Sequence, residues 1–284
     1  MLSALSRSTT AKIRREVYPM SDSNQPEKKS IKIEHLIDFY KTLAKTTFLF
    51  STPGTKSMCN IDSYLFSSIQ NTLGSIQTIL NEGKINDAYA LLRKYSDSVV
   101  INIYTNLYLE DETSFEKILS RKSYVVEKID SWLNGKDKLP KLSEMLKYIA
   151  QSKKADPITS IIDPSTEYRR LRDRCNDHTH YNFFYYVMLN DPEIYLKGRK
   201  RALEQFKEDL REMFIWHLAY MFYIQPHYMM SSDYRDYLDF GMTPEPDSQF
   251  WVAGFIQKVF DDILAKFRPD IADVIKRDSP MHIS

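Results

Sequence analysis

The chain has 284 residues, and its 39 Lys and Arg against 38 Asp and Glu leave a net charge of +1. That balance excludes a globally basic nucleic-acid binder, so any contact with RNA or DNA must come from a local patch. Only 7 glycines, with 43% hydrophobic and 13% aromatic residues, argue against a strand-dense fold with many tight turns and for an all-α protein with a well-filled core.

No apolar run reaches the ~18–20 residues of a membrane span; the longest, 213–224, is interrupted by His217. Cys59 and Cys175 lie far apart and make no zinc or redox motif, which fits free thiols in a reducing cytoplasm. Residues 1–30 read as a flexible N-terminal tail. They are Ser/Thr-rich and carry no acid before Glu16, a composition faintly like a mitochondrial presequence.

From 31 to 284 the sequence predicts a single helical domain, a bundle of about seven or eight helices, with a possible subdomain split near 135–160. A first helix over 31–50 ends at Ser51-Thr52-Pro53-Gly54. A second starts at Asn60 or Asp62 and ends near Gly83. A third covers 85–110 and is apolar almost all round in its second half, so it is expected to be buried. Arg93 and Asp97 on it are spaced for an intrahelical ion pair. Thr113 and Glu116 form a capping-box pattern for a fourth helix ending at Asn134-Gly135. A short fifth helix over 142–150 leads into a linker, 153–162.

The next stretch, 163–191, reads as one long helix, capped by Asp163, with Pro164 at its first position and Asn190-Asp191-Pro192 as its stop. Its first half is polar and its second half, 183–189, is expected to be core. After it, 198–224 repeats Phe206, Leu210, Met213, His217, Leu218 and Met221 on one face, where His217 reads as a hydrogen-bonded core histidine. Residues 229–241 allow one or two helical turns. A last long helix capped by Asp247 or Ser248 runs to Phe267.

The chemistry concentrates in the first half of 163–191. At about 100° per residue, Arg169, Arg172, Asn176 and His180 share one side, with Asp173 flanking, while Arg174 and His178 share the other. Asn176 and His180 are spaced for a hydrogen bond, and Arg174 beside His178 would lower the imidazole pKa. An imidazole that titrates near neutrality can move a 2′-hydroxyl proton, and a guanidinium can hold phosphoryl oxygens. Basic Arg169, Arg170, Arg172, Arg174 and the 197–201 segment, with Tyr181, Phe184 and Tyr185, could contact RNA by charge and stacking. Asp177, His178, His180 and His217 make a poor metal site, because ligands at i and i+2 point to opposite sides of a helix. No metal or other cofactor is expected.

Arg172-Asp173 with His178 reads R-D-x4-H, and Arg174 with His180 reads R-x5-H, followed by Tyr181-Asn182. On these residues the chain resembles the HEPN (higher eukaryotes and prokaryotes nucleotide-binding) superfamily of helical bundles, whose motif is R-x(4–6)-H. The resemblance implies a metal-independent endoribonuclease of toxin or antiphage-defence type. It also implies a cytoplasmic homodimer with facing motifs and a possible antitoxin or regulatory partner. Arg172 or Arg174 would hold phosphate and His178 or His180 would move the proton. Arg169, Asn176, Asp177 and Asn182 would bind or orient the substrate. The second reading is a non-catalytic helical module that binds nucleotide, RNA or protein, with the same helix as dimer interface. Geometry separates the two: His180 and an Arg in one open cleft favours catalysis, and sealed side chains favour binding or structure.

Overall fold

Several helix boundaries follow local stop signals of the sequence, such as the Asp163-Pro164 start and the Gly83 end. The computed structural model describes residues 32–47, 60–113, 126–191 and 193–284. The helices are α1 (Ile33–Thr46), α2 (Ile61–Asn81), α3 (Ile85–Glu112), α4 (Glu127–Leu133), α5 (Leu142–Gln151) and the single turn α6 (Asp156–Thr159). They continue as α7 (Pro164–Thr179), α8 (Phe184–Leu189), α9 (Arg199–Ile224), α10 (Ser232–Asp239), α11 (Gly254–Val259) and α12 (Pro269–Asp278). Among the described residues no strand forms, and only two isolated bridges occur, Met230–Val252 and Trp251–His282. The all-α expectation holds. Among the described residues no helix is long and apolar enough to cross a membrane.

Gly83 shows how α2 is stopped. Its φ of 77° lies in the left-handed region, which costs glycine nothing. Gly83 N–H then reaches Leu80 O at 2.9 Å and Lys84 N–H reaches Ile79 O at 3.1 Å, which closes the helix end and turns the chain into α3. α3 is the spine of the bundle, and α2, α5, α7 and α9 all pack on it. Its second half is buried nearly all round, as its composition predicts. One continuous core runs from Leu36 to Ile283 and takes in buried residues on both sides of 135–160.

Threaded through this core is a chain of buried polar groups. Asn102 and Asn106 of α3 each donate an amide hydrogen to Asp62 Oδ1 on α2, at 2.6 and 2.8 Å. Tyr228 donates to the other oxygen, Oδ2. Because the Asn102 amide nitrogen faces Asp62, its Oδ1 accepts from His217 Nε2–H at 2.8 Å. His217 Nδ1 is then the acceptor for Tyr40 O–H at 2.6 Å, and Tyr40 oxygen meets Tyr95 O–H at 2.8 Å. The relay thus ties α1, α2, α3, α9 and the turn after α9 together. His217 is the core histidine expected from its register, fully buried.

Several boundaries depart from the sequence reading. The last long helix does not start at Asp247 or Ser248. Asp247 adopts φ 63°, Ser248–Phe250 form a 3-10 turn, and the helix begins at Gly254. It continues through a π-helical segment, Phe260–Ala265. The Thr113 hydroxyl donates back to Leu109 O at 2.8 Å at the end of α3, and the helix it is expected to cap starts outside the described residues. The linker 153–162 contains a 3-10 turn and α6. The tail 1–30, the break at 51–54, Cys59 and the stretch 114–125 of the predicted fourth helix lie outside the described residues.

Burial holds His217 neutral and pulls its pKa from the ordinary 6.5 down to about 3. As pH falls through about 6.5 the unfolded chain takes up a proton that the folded chain refuses. Stability is therefore full above that pH and is lost below it, down to the folded pKa, with a slope from this ring approaching about 1.4 kcal/mol per pH unit. Replacing His217 with Gln should lower stability at neutral pH and flatten the acid limb by one proton. Denaturant titrations at several pH values would show it, and an unchanged acid slope would contradict it.

Candidate functional site

The predicted long helix over 163–191 is two helices. Asp163 caps α7 as expected, its Oδ1 accepting from Ser165 N–H at 3.0 Å, and Pro164 occupies the first position. The helix ends at Thr179. There Tyr181 takes a left-handed φ of 51°, and Asn182 N–H bonds Asp177 O at 3.1 Å. Asn182 Nδ2 also donates to Asp177 Oδ1 at 2.7 Å. This is the same closure that Gly83 makes, but with a tyrosine where glycine usually sits, a substitution that costs about 1–2 kcal/mol locally. The short α8 then packs by one side only. Leu189 is buried, whereas Phe183 and Val187 are exposed and Phe184 is 74% exposed. The expectation that 183–189 is core is corrected accordingly.

Five side chains of α7, Tyr168, Arg170, Arg174, Asn176 and His178, fasten it to its neighbours. Asn176 Oδ1 accepts from Arg93 at 2.7 Å, and Tyr168 O–H donates to Asp97 at 2.5 Å. Arg93 and Asp97 therefore dock α7 on α3 rather than pairing with each other. The Asn176 amide is taken up by Arg93, and what links Asn176 to His180 is the backbone bond His180 N–H to Asn176 O at 2.8 Å. Arg172 lies against the Tyr168 ring at 5.9 Å with its guanidinium 3.4 Å from the hydroxyl. Arg169 is exposed near the start of the helix, and His180 is exposed at its C-terminal cap.

On the opposite side an open cleft of about 660 Å³ lies between α7 and α9, and Arg174, Asp177 and His178 line it together. Neither Arg172 nor His180 does. Neither motif frame, Arg172 with His178 or Arg174 with His180, therefore brings its own Arg and His into one cleft. The pair that meets there is Arg174 and His178, one helical turn apart.

Both of these groups are held firmly. Arg174 Nε stands 2.9 Å from Asp209 Oδ2, in ion-pair range without a hydrogen bond's alignment. Asp209 is buried and also accepts from Tyr89 O–H at 2.9 Å. Burial raises its carboxyl pKa against the opposing pull of Arg174, Tyr89 and Gln205. His178 is 4% exposed and stacks on Tyr89 with ring centres 3.8 Å apart. Asn86 donates its amide to Tyr186 O, so its Oδ1 accepts from His178 Nδ1–H at 2.7 Å. Burial lowers the imidazole pKa to about 4, with Arg174 adding to the drop and Asp177 opposing it. The ring is therefore neutral at ordinary pH. Cys175 beside it is a buried thiol that burial pushes up to about 12, which makes it unreactive. Among the described residues no three His, Cys, Asp or Glu side chains are grouped to hold a metal ion.

Arg201 belongs to the basic 197–201 segment that the sequence offered, whereas the sequence reading missed Asn86, Tyr89, Asp209 and Gln205. Asp209 left a trace, because an acid falls in phase with Phe206, Leu210 and Met213 on the buried face of α9. The others carry no local signal.

Removing one partner of a buried ion pair costs about 3–5 kcal/mol. With the Arg174 side chain 29% exposed, Arg174→Ala should cost nearer about 2 kcal/mol. The double variant with Asp209→Asn should recover part of that loss in chemical denaturation, whereas strictly additive losses would mean that the two groups do not interact.

No protein-family model, curated protein or solved structure matches this chain, so its functional reading rests on the geometry of the α7–α9 cleft.

Proposed function

We propose that this chain is a non-catalytic helical module that holds a nucleotide segment of RNA in the α7–α9 cleft. The observation that carries the reading is the meeting of Arg174 and Arg201 with the rings of Tyr185 and Tyr186 on one open surface. Guanidinium groups suit phosphate oxygens, and a tyrosine face offers a base a stacking partner worth about 1–3 kcal/mol. Arg201 is exposed, and Tyr185 lies over Gly198, where any larger side chain would displace its hydroxyl end. The chain's near-zero net charge makes a local patch the only route to such binding.

Binding without cleavage is favoured by the state of the cleft's imidazole. His178 is neutral, buried and bonded through Nδ1 to Asn86, so it offers no proton to a leaving oxygen. Acid–base cleavage of a phosphodiester needs a group that titrates near working pH and can reach the reacting oxygens. His180 is the exposed imidazole of α7, and it lies at the helix end outside the cleft wall.

Fluorescence anisotropy with a labelled oligoribonucleotide at low salt, followed by a gel of the same sample, tests this. The expected result is saturable binding of uncut RNA, weakened about tenfold by Arg201→Ala with a shallower salt dependence. Gly198→Val should weaken binding without changing the salt slope, because it moves Tyr185 and leaves the charges in place. No binding by the wild type would end the RNA reading. Cleavage that His180→Ala abolishes would overturn the non-catalytic part and restore the ribonuclease implied by the motif.

A further inference from the structure

The cleft wall that carries Tyr185 and Tyr186 has little apolar burial to hold it. Among the described residues of 181–197 one side chain, Leu189, is fully buried, and the two cleft tyrosines are half-buried. α8 has six residues, so its last four carbonyls, those of residues 186–189, fall to partners outside the regular helical ladder. A helix this short does not keep its place by its own stability. The Tyr186 carbonyl is taken by the Asn86 amide.

Arg199 supplies most of the remaining fastening. It is the first residue of α9, and its guanidinium spreads over carbonyls from three stretches of chain. Nη1 donates to Leu189 O at 2.8 Å and to Gly83 O at 3.2 Å. Nη2 donates to Asp191 O and, at the long limit of 3.5 Å, reaches Met188 O and Ile194 O. One side chain thus joins the end of α8, the loop that leaves it and the turn between α2 and α3. A cation in the first turn of α9 opposes the dipole of that helix, whereas carbonyls at the ends of α2 and α8 attract it. The bonds of Arg199 therefore serve those two helix ends and not α9.

Arg199 does not line the cleft, whereas Arg201, two residues on, does. Its reach into the cleft runs through α8. Tyr185 lies over Gly198, the residue just before Arg199, and any shift of the α8 backbone moves that ring and its neighbour Tyr186.

We propose that Arg199 is the positioning residue of the α7–α9 cleft. It touches no RNA and fixes the backbone of α8 so that the Tyr185 and Tyr186 rings stand in the cleft wall. This inference rests on the RNA reading of the cleft. Loss of the clamp weakens stacking and leaves the guanidinium groups of Arg174 and Arg201 in place.

Hydrogen exchange read by mass spectrometry, with anisotropy of the labelled oligoribonucleotide, tests this on the full chain with Arg199→Ala and Arg199→Gln. Arg199→Ala should speed exchange of the hydrogen-bonded amides of α8 about tenfold or more, while α3 and the second half of α9 keep their protection. It should weaken RNA binding about tenfold at the salt slope of the wild type, unlike Arg201→Ala, which lowers that slope. Arg199→Gln removes the charge but keeps an amide with two donor hydrogens, so it should recover part of the affinity. If the alanine variant does not fold, the glutamine variant decides, by a smaller loss at an unchanged slope. Wild-type affinity in both variants, unchanged exchange of α8, a slope lowered as in Arg201→Ala, or a glutamine variant no better than a folded alanine one would each overturn the proposal. A wild type that binds no RNA is a separate failure: it ends the RNA reading, and the proposal with it, whatever the exchange of α8.

Discussion

The constraint on which the candidate site depends is the fastening of α7 to α3 and α9 by paired polar groups. A helix this polar cannot dock on a core through hydrophobic contact alone, since its apolar surface is little more than Tyr168, Leu171 and Cys175. It docks through Tyr168 to Asp97, Asn176 to Arg93, Arg174 to Asp209 and His178 to Asn86. Each of these pairs satisfies a group whose desolvation would otherwise oppose packing. The residues that look most reactive in the sequence are therefore largely the residues that hold the helix in place. What they leave open is a cleft lined by Arg174, Arg201, Tyr185 and Tyr186.

α3 carries two such polar systems on different faces. One is the relay from Asp62 through Asn102 and His217 to Tyr40 and Tyr95, which locks the first half of the chain to α9. The other is the set that grips α7. Both place a histidine where burial keeps it neutral, with an asparagine oxygen fixing which ring nitrogen carries the proton. Buried networks of this kind define one arrangement of helices strongly, because any slip leaves several groups unpaired at once.

Much of the bundle was legible in the sequence. The register of Phe206, Leu210, Met213, His217, Leu218 and Met221 names the buried face of α9, and Asp163-Pro164 marks the start of α7. Periodicity and capping act within a few residues, so they can be read locally. The break at Tyr181 could not be read this way, because the left-handed position there carries no glycine or asparagine to announce it. Nor could the exposure of Phe183 and Phe184, since an aromatic run looks like core until the brevity of α8 leaves it one side to bury. The fate of His178 was the least legible. Its hydrogen-bond partner Asn86 lies 92 positions away, and burial, more than the neighbouring Arg174, sets its charge. The separation of Arg172 and His180 from the cleft follows from the same docking, which turns Arg174 and His178 inward.

Nitrogen-15 spectroscopy of the histidine side chains tests the central claim most directly, because it reports tautomer and protonation ring by ring. The account predicts that His178 carries its proton on Nδ1 and keeps it unchanged from about pH 8 to about pH 5, in keeping with a pKa near 4. A His178 ring that exchanges between tautomers and titrates close to neutrality would contradict it, and would return that imidazole to the pool of working acids and bases.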